Sequence, residues 1–177
     1  MKKTITTIIM IITFLIVYFL QTNLFSWFNL AGIKPNLFVI LVLIIGLFTG
    51  ESRGVMLGIL FGISLDLFIG KSIGISGIML GIVGFLGGFL DKNFSKDSRF
   101  TMIIMIIIST CLYEIGSYLF NYFINNATIG IWLFIKILVI ENIFNVFVTI
   151  ILYPLIVKLG YRLEKTFKEN KILTRYF

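Results

Sequence analysis

Histidine is absent from the 177 residues, and cysteine occurs once, at Cys111. Without histidine the chain lacks the commonest general base and the commonest biological metal ligand. A lone cysteine permits no internal disulfide. Only 13% of the residues are charged, about half of the ~25% usual in a soluble domain. No serine stands with a histidine base, and Gly70-Lys71-Ser72 lacks the spaced glycine and the preceding strand of a phosphate-cradling loop. Metal sites built on histidine or cysteine clusters, acyl transfer by a serine–histidine pair and nucleotide hydrolysis at a phosphate-cradling loop therefore lack their usual residues. No catalytic role, cofactor or metal is expected.

What fills the chain instead is apolar: 59% hydrophobic residues with mean hydropathy +1.07. The excess lies in long runs, among them those holding Leu37 to Phe48 and Ile103 to Ile108. Runs near ~20 residues can cross the ~30 Å hydrocarbon core as helices. Backbone groups there must be satisfied internally, which leaves helices or a closed barrel. A barrel needs alternating polar and apolar positions, and these runs do not alternate. The sequence thus predicts an all-α membrane protein with six transmembrane helices in one domain over 1–160. The helices are expected near 4–25, 36–50, 54–69, 73–90, 100–124 and 131–158, with a short basic tail at 161–177. Pro35 suits a helix start, where its missing N–H costs nothing. The opening Met1-Lys2-Lys3 with Ile5 to Leu20 resembles a signal peptide. Its apolar run is too long, however, and Gln21 to Ser26 contains no small-x-small cleavage site. A retained first helix is expected.

The formal charge of +7 could suit nucleic acid in a soluble protein. Here the basic residues cluster in short loops, as on the cytoplasmic side of membrane proteins, so no nucleic-acid partner is expected. One set of loops holds Lys2, Lys3, Arg53, Lys92, Lys96, Arg99 and the six basic residues from Lys158 to Arg175. The other holds Lys34 and Lys71, while Lys136 falls inside the sixth helix. This asymmetry predicts a multi-pass cell-membrane protein with both termini cytoplasmic. Phe25, Trp27, Phe28 and Trp132 fit an aromatic belt at the membrane boundary. In the tail, Leu163 and Phe167 are four apart with charges between them. That pattern reads either as an amphipathic basic helix on membrane lipid or as a solvated end.

Glycines are patterned. Gly54, Gly58 and Gly62 recur every four residues, and Gly74, Gly77, Gly81, Gly84 and Gly88 alternate steps of three and four. Small residues at such spacing let helix backbones approach closely. The occupant of the Gly54–Gly62 groove is either an internal neighbour or a partner helix. The close links from the third helix to the second and fourth favour the internal neighbour; partner contact would then fall on bulkier surfaces, such as the first helix and the segment around Trp27 and Phe28.

Ionisable groups inside the spans are Asp66, Glu114, Lys136 and Glu141. Each costs roughly 2.5–3.5 kcal/mol on insertion scales for Asp or Lys at a helix centre, so each should face the interior and pair. The expected topology puts all four in the outer half, where they can converge. Glu141, Asn145 and Thr149 share one helical face, and Tyr113, Ser117 and Asn121 another. The resulting polar cluster of Asp66, Glu114, Lys136, Glu141 and Asn145 reads as a hydrogen-bonded lock, a ligand pocket or a proton relay. No acids continue into the inner half, which disfavours the relay.

Taken together, several segments resemble the rod shape-determining protein MreD family. They are Lys34-Pro35-Asn36-Leu37, the stretch from Gly54 to Asp66-Leu67, and Gly74-Ile75-Ser76-Gly77 opening a glycine-rich helix. Chain length, span count and basic tail are similar as well. The resemblance implies a non-catalytic component of the bacterial cell-elongation complex. It would work with the bitopic protein MreC, and through the complex with MreB filaments and the peptidoglycan polymerase RodA with its transpeptidase. It also implies a compact bundle similar to the substrate-binding subunits of energy-coupling factor transporters. Such a vitamin-capturing subunit is the alternative reading. Those subunits dock through small residues four apart in their first helix, whereas Thr4 to Leu20 contains neither alanine nor glycine.

Overall fold

The computed structural model describes residues 2–27, 29, 32–69, 74–94, 98–126 and 130–168. All regular elements among them are helices: α1 (Lys2–Phe19), α2 (Leu37–Thr49), α3 (Glu51–Ile69), α4 (Ile75–Asn93), α5 (Arg99–Asn125) and α6 (Ile131–Lys168). α1 continues through a wider π-type turn at Leu20–Leu24 and a last turn at Phe25–Trp27. Three helices are long and apolar enough to cross a membrane, over Ile75–Lys92, Arg99–Ile124 and Ile131–Phe167. Two shorter apolar helices lie at Thr7–Asn23 and Leu37–Thr49.

α2 is the hub. Its 13 residues are apolar on every side, and all but Leu41 are buried. At 1.5 Å per residue it is only ~20 Å long, less than the ~30 Å of a hydrocarbon core. A helix hydrophobic all round belongs in an interior, and α2 packs against each of the other five helices. The most extensive packing is between α3 and α4, then α2 against α4. α1 sits on this core by one stripe: Met10 and Phe14 are buried, with the Phe14 ring stacked 4.6 Å from Phe61 and tilted 5.5 Å from Phe38.

Two boundaries differ from expectation. Glu51-Ser52-Arg53, expected as a link, forms the first turn of α3. The reversal needs only Gly50, whose φ of +95° is open to glycine and strained for other residues. Its N–H closes on the Gly46 carbonyl at 2.9 Å. At the other end of the chain, α6 does not stop near 158. It continues to Lys168, with Leu163 and Phe167 packed on the protein core. Within 161–168 the apolar stripe thus faces the core and not lipid.

Candidate functional site

The glycine faces meet each other. A Cβ added at Gly54 would fall on the Gly84 carbonyl oxygen, one at Gly58 on the Leu80 carbonyl, and one at Gly62 on the Ser76 carbonyl and Gly77 backbone. The Gly54–Gly62 groove is therefore filled by α4 itself. Gly77 and Gly81 receive the Ile63 and Ile59 side chains. Gly84 also abuts Gly46 of α2, and Gly87 and Gly88 abut the backbones of Leu43 and Glu51. α4 is thus sandwiched by two helices at backbone distance. Gly46 and Gly87, which complete the second contact, are not among the packing glycines expected from the sequence; Gly46 and Gly50 continue the four-residue step back from Gly54, but across a helix boundary.

Asp66 is a helix cap. Its buried carboxylate Oδ2 accepts from the backbone N–H of Gly74 at 2.8 Å and of Ser76 at 3.2 Å, at the start of α4. Orphan N–H groups at a helix N-terminus need acceptors, and the positive end of the helix dipole favours a carboxylate there. Gly74 itself has φ +105° and supplies no side-chain cap.

The start of α2 is gripped in the same way by residues from three helices. Gln21, in the π-type turn, donates Nε2 to the Pro35 carbonyl at 2.7 Å and accepts from Leu37 N at 3.0 Å through Oε1. Asn145 accepts from Asn36 N at 2.7 Å and donates to Thr110 Oγ1 at 2.9 Å, and it is fully buried. Asn36 caps its own helix by accepting from Val39 N at 3.4 Å. Because Pro35 and Leu37 are buried, the first N–H groups of α2 must find partners inside the bundle. Gln21 and Asn36 went unrecognised in the sequence. Asn36 is signalled only as an amide next to a proline-marked helix start, and Gln21 only as a polar residue closing the first apolar run.

Around this grip the remaining polar residues gather. Glu141 lies beside Glu114 and the Asn36 side chain. Tyr113 lies beside Ser76, Glu114, Glu141 and Asn36. Ser76 joins the Asp66 cap to the cluster, so Asp66, Glu114, Glu141 and Asn145 form one polar region spanning α2 to α6. Lys136 does not join it. The expectation that it faces the interior is corrected: its side chain is exposed, five residues into α6. A lysine near a helix end can extend along the surface to the membrane boundary instead of pairing inside. Glu141 Oε1 and Asn142 Oδ1 are buried acceptors with no hydrogen bond among the described residues. The cluster can therefore accept further hydrogen bonds, but its main observed work is to terminate two helices.

At the opposite end Arg53 mirrors this arrangement. Its Nη1 donates to the carbonyls of Thr49, the last residue of α2, and Phe167, near the end of α6, at 3.2 and 3.3 Å. The guanidinium also lies 4.7 Å over the Phe167 ring. Lys92 and Glu51 pair at 2.8 Å across the exposed end of the α3–α4 sandwich, a contact worth at most about 1 kcal/mol.

A model of the family described as rod shape-determining protein MreD matches residues 1–163. No curated protein matches the chain, and no solved structure does.

Proposed function

We propose that this chain, which belongs to the rod shape-determining protein MreD family, serves rod-shape determination as a non-catalytic multi-pass scaffold of the cell-elongation complex. The family assignment makes it a shape-determining membrane component. The finer reading has six spans, two cytoplasmic termini and a bundle arranged like energy-coupling factor substrate-binding subunits. Its partners are MreC and, through the complex, MreB and the RodA polymerase with its transpeptidase. The observation that carries the scaffold reading is where the packing faces point. The Gly54, Gly58 and Gly62 face is consumed inside the bundle, while one side of α1 from Ile8 to Phe19 is left exposed, with Ile8, Ile12, Leu15 and Phe19 on it. Trp27 extends that side and is 89% exposed; Phe28, expected to act with it, lies outside the described residues.

Buried aromatic anchors at interfaces cost about 2 kcal/mol or more when truncated, roughly 30-fold in affinity. Replacing Trp27 and Phe28 by alanine should leave the melting midpoint of the purified protein unchanged and reduce MreC recovered in co-purification by about that factor. Undiminished recovery of MreC would place the contact elsewhere. Topology has its own check. Single cysteines at Ser95 (outside the described residues) and at Asn126, in a Cys111→Ser background, should label from opposite sides of intact membranes. Labelling of Ser95 from outside the cell would reverse the proposed orientation.

A further inference from the structure

One face of α6 changes character along its length. Ile151 and Leu155 are exposed apolar side chains, at 58% and 51%. Lys158, Arg162 and Lys165 continue at steps of three, four and three residues, and are exposed too. Steps of three and four hold side chains on one helical face. The apolar pair and the three bases therefore form one stripe. The opposite stripe, Ile156, Gly160, Leu163 and Phe167, is seated on the protein, with Gly160 against the Phe48 ring and Phe167 beneath Arg53. That seat fixes the rotation of the helix and keeps the bases outward.

Their depth suits a membrane boundary. At 1.5 Å per residue the three bases stand roughly 5, 10 and 15 Å beyond Leu155. The headgroup layer adds about 5–8 Å on each side of the hydrocarbon. Long basic side chains reach back toward it, and the screening length in physiological salt is ~8 Å. Between Lys158 and Lys165 the sequence carries one acid, the half-buried Glu164.

We propose that the Lys158–Arg162–Lys165 stripe of α6 is a docking surface for the phosphate headgroups of anionic phospholipids. Charge complementarity and continuity with the lipid-facing residues above it favour lipid over an acidic protein, which would have to enter the headgroup layer to reach Lys158. The inference rests on the membrane reading but not on any protein partner, so its failure leaves the scaffold reading standing.

The test uses the purified full chain in neutral-detergent micelles, given dioleoylphosphatidylglycerol or dioleoylphosphatidylcholine, with retained lipid counted by native mass spectrometry. Each base near an anionic surface contributes about five-fold, hence roughly 100-fold for three. Phosphatidylglycerol should be preferred on that scale at low salt and less so as salt rises. K158Q/R162Q/K165Q should lose the preference, and K158R/K165R should keep it. Folding of each variant is checked by its melting midpoint without lipid. Should the triple variant not fold, the three single substitutions, each about five-fold, decide the question. A triple variant that still prefers phosphatidylglycerol overturns the proposal. So does equal retention of the two lipids by the unaltered chain, competition by equimolar inorganic phosphate, or tighter binding of polyglutamate than of the anionic lipid.

Discussion

Replacing Gly58 by leucine should leave little folded protein in the membrane. The position has no room for even the first carbon of a side chain, because that atom would coincide with the Leu80 carbonyl and touch the Gly81 Cα. The obstacle is backbone and not a flexible side chain, so α3 and α4 would have to separate. Overpacking ordinarily costs about 1–3 kcal/mol. Here separation would also loosen the neighbouring Gly54–Gly84 and Gly62–Ser76 contacts, so the loss should reach or exceed that range. Against total stabilities of roughly 5–15 kcal/mol, this is a large fraction. Gly58→Ala should be nearly as damaging, since Cβ itself is the intruder. Gly130→Ala should be silent, because no atom of the described residues lies within 4 Å of the added carbon and its φ is not left-handed. The measurement is the amount of monodisperse protein recovered from membranes, with the melting midpoint of what remains. Gly58→Leu protein that accumulates normally but loses the proposed partner MreC would show instead that α3 is the docking face.

The same example marks what a sequence can disclose about such a bundle. The four-residue glycine step is visible in the letters, since it follows from helical geometry alone. Its occupant is not, because Gly84, Leu80 and Ser76 are brought opposite by the fold of the α3–α4 hairpin. The helices themselves were legible because runs such as Leu37 to Phe48 have no other stable form in lipid. That α2 would be swallowed whole was not. Nothing local separates a helix facing lipid from one facing protein when both sides are apolar. The polar residues divide along the same line. Asp66 and Asn145 are conspicuous in an apolar chain, so they could be picked out. The groups they serve, Gly74 N, Ser76 N and Asn36 N, belong to other helices and leave no trace near them. Lys136 departs from expectation because its depth serves there only to let it converge with the acids and not to lower its cost: the same charge is expensive at mid-helix and tolerable one or two turns from an end. Family membership was legible because it spreads over many positions, and the match over residues 1–163 bears out the resemblance.

The short helices give the polar cluster its physical logic, and that logic fixes what Asp66 should do when altered. A helix that ends inside the bundle brings unpaired N–H groups at one end and unpaired carbonyls at the other. α2 and α4 begin at the same end, and there the chain supplies Gln21, Asn36, Asn145 and Asp66. α2 finishes at the opposite end, where Arg53 takes the last carbonyl. Acceptors at helix starts and a donor at a helix end match the helix dipoles as well as the hydrogen-bond demand. Asp66→Leu keeps approximate size but strands the N–H groups of Gly74 and Ser76 where no water need reach them. Each stranded buried group costs about 1–3 kcal/mol, so a loss of about 2–6 kcal/mol is expected for the two. Asp66→Asn keeps an acceptor oxygen in place and forfeits mainly the charge at the helix start, about 1 kcal/mol. In thermal unfolding the leucine variant should therefore melt well below the asparagine variant, and the asparagine variant slightly below the parent. In cells that depend on this protein for rod shape, Asp66→Leu should fail to restore it, while Asp66→Asn restores it largely. If both variants melt equally low, the carboxylate charge and not the hydrogen bonding is what α4 requires. If Asp66→Leu melts and complements like the parent, the cap is dispensable, and another group must satisfy the start of α4.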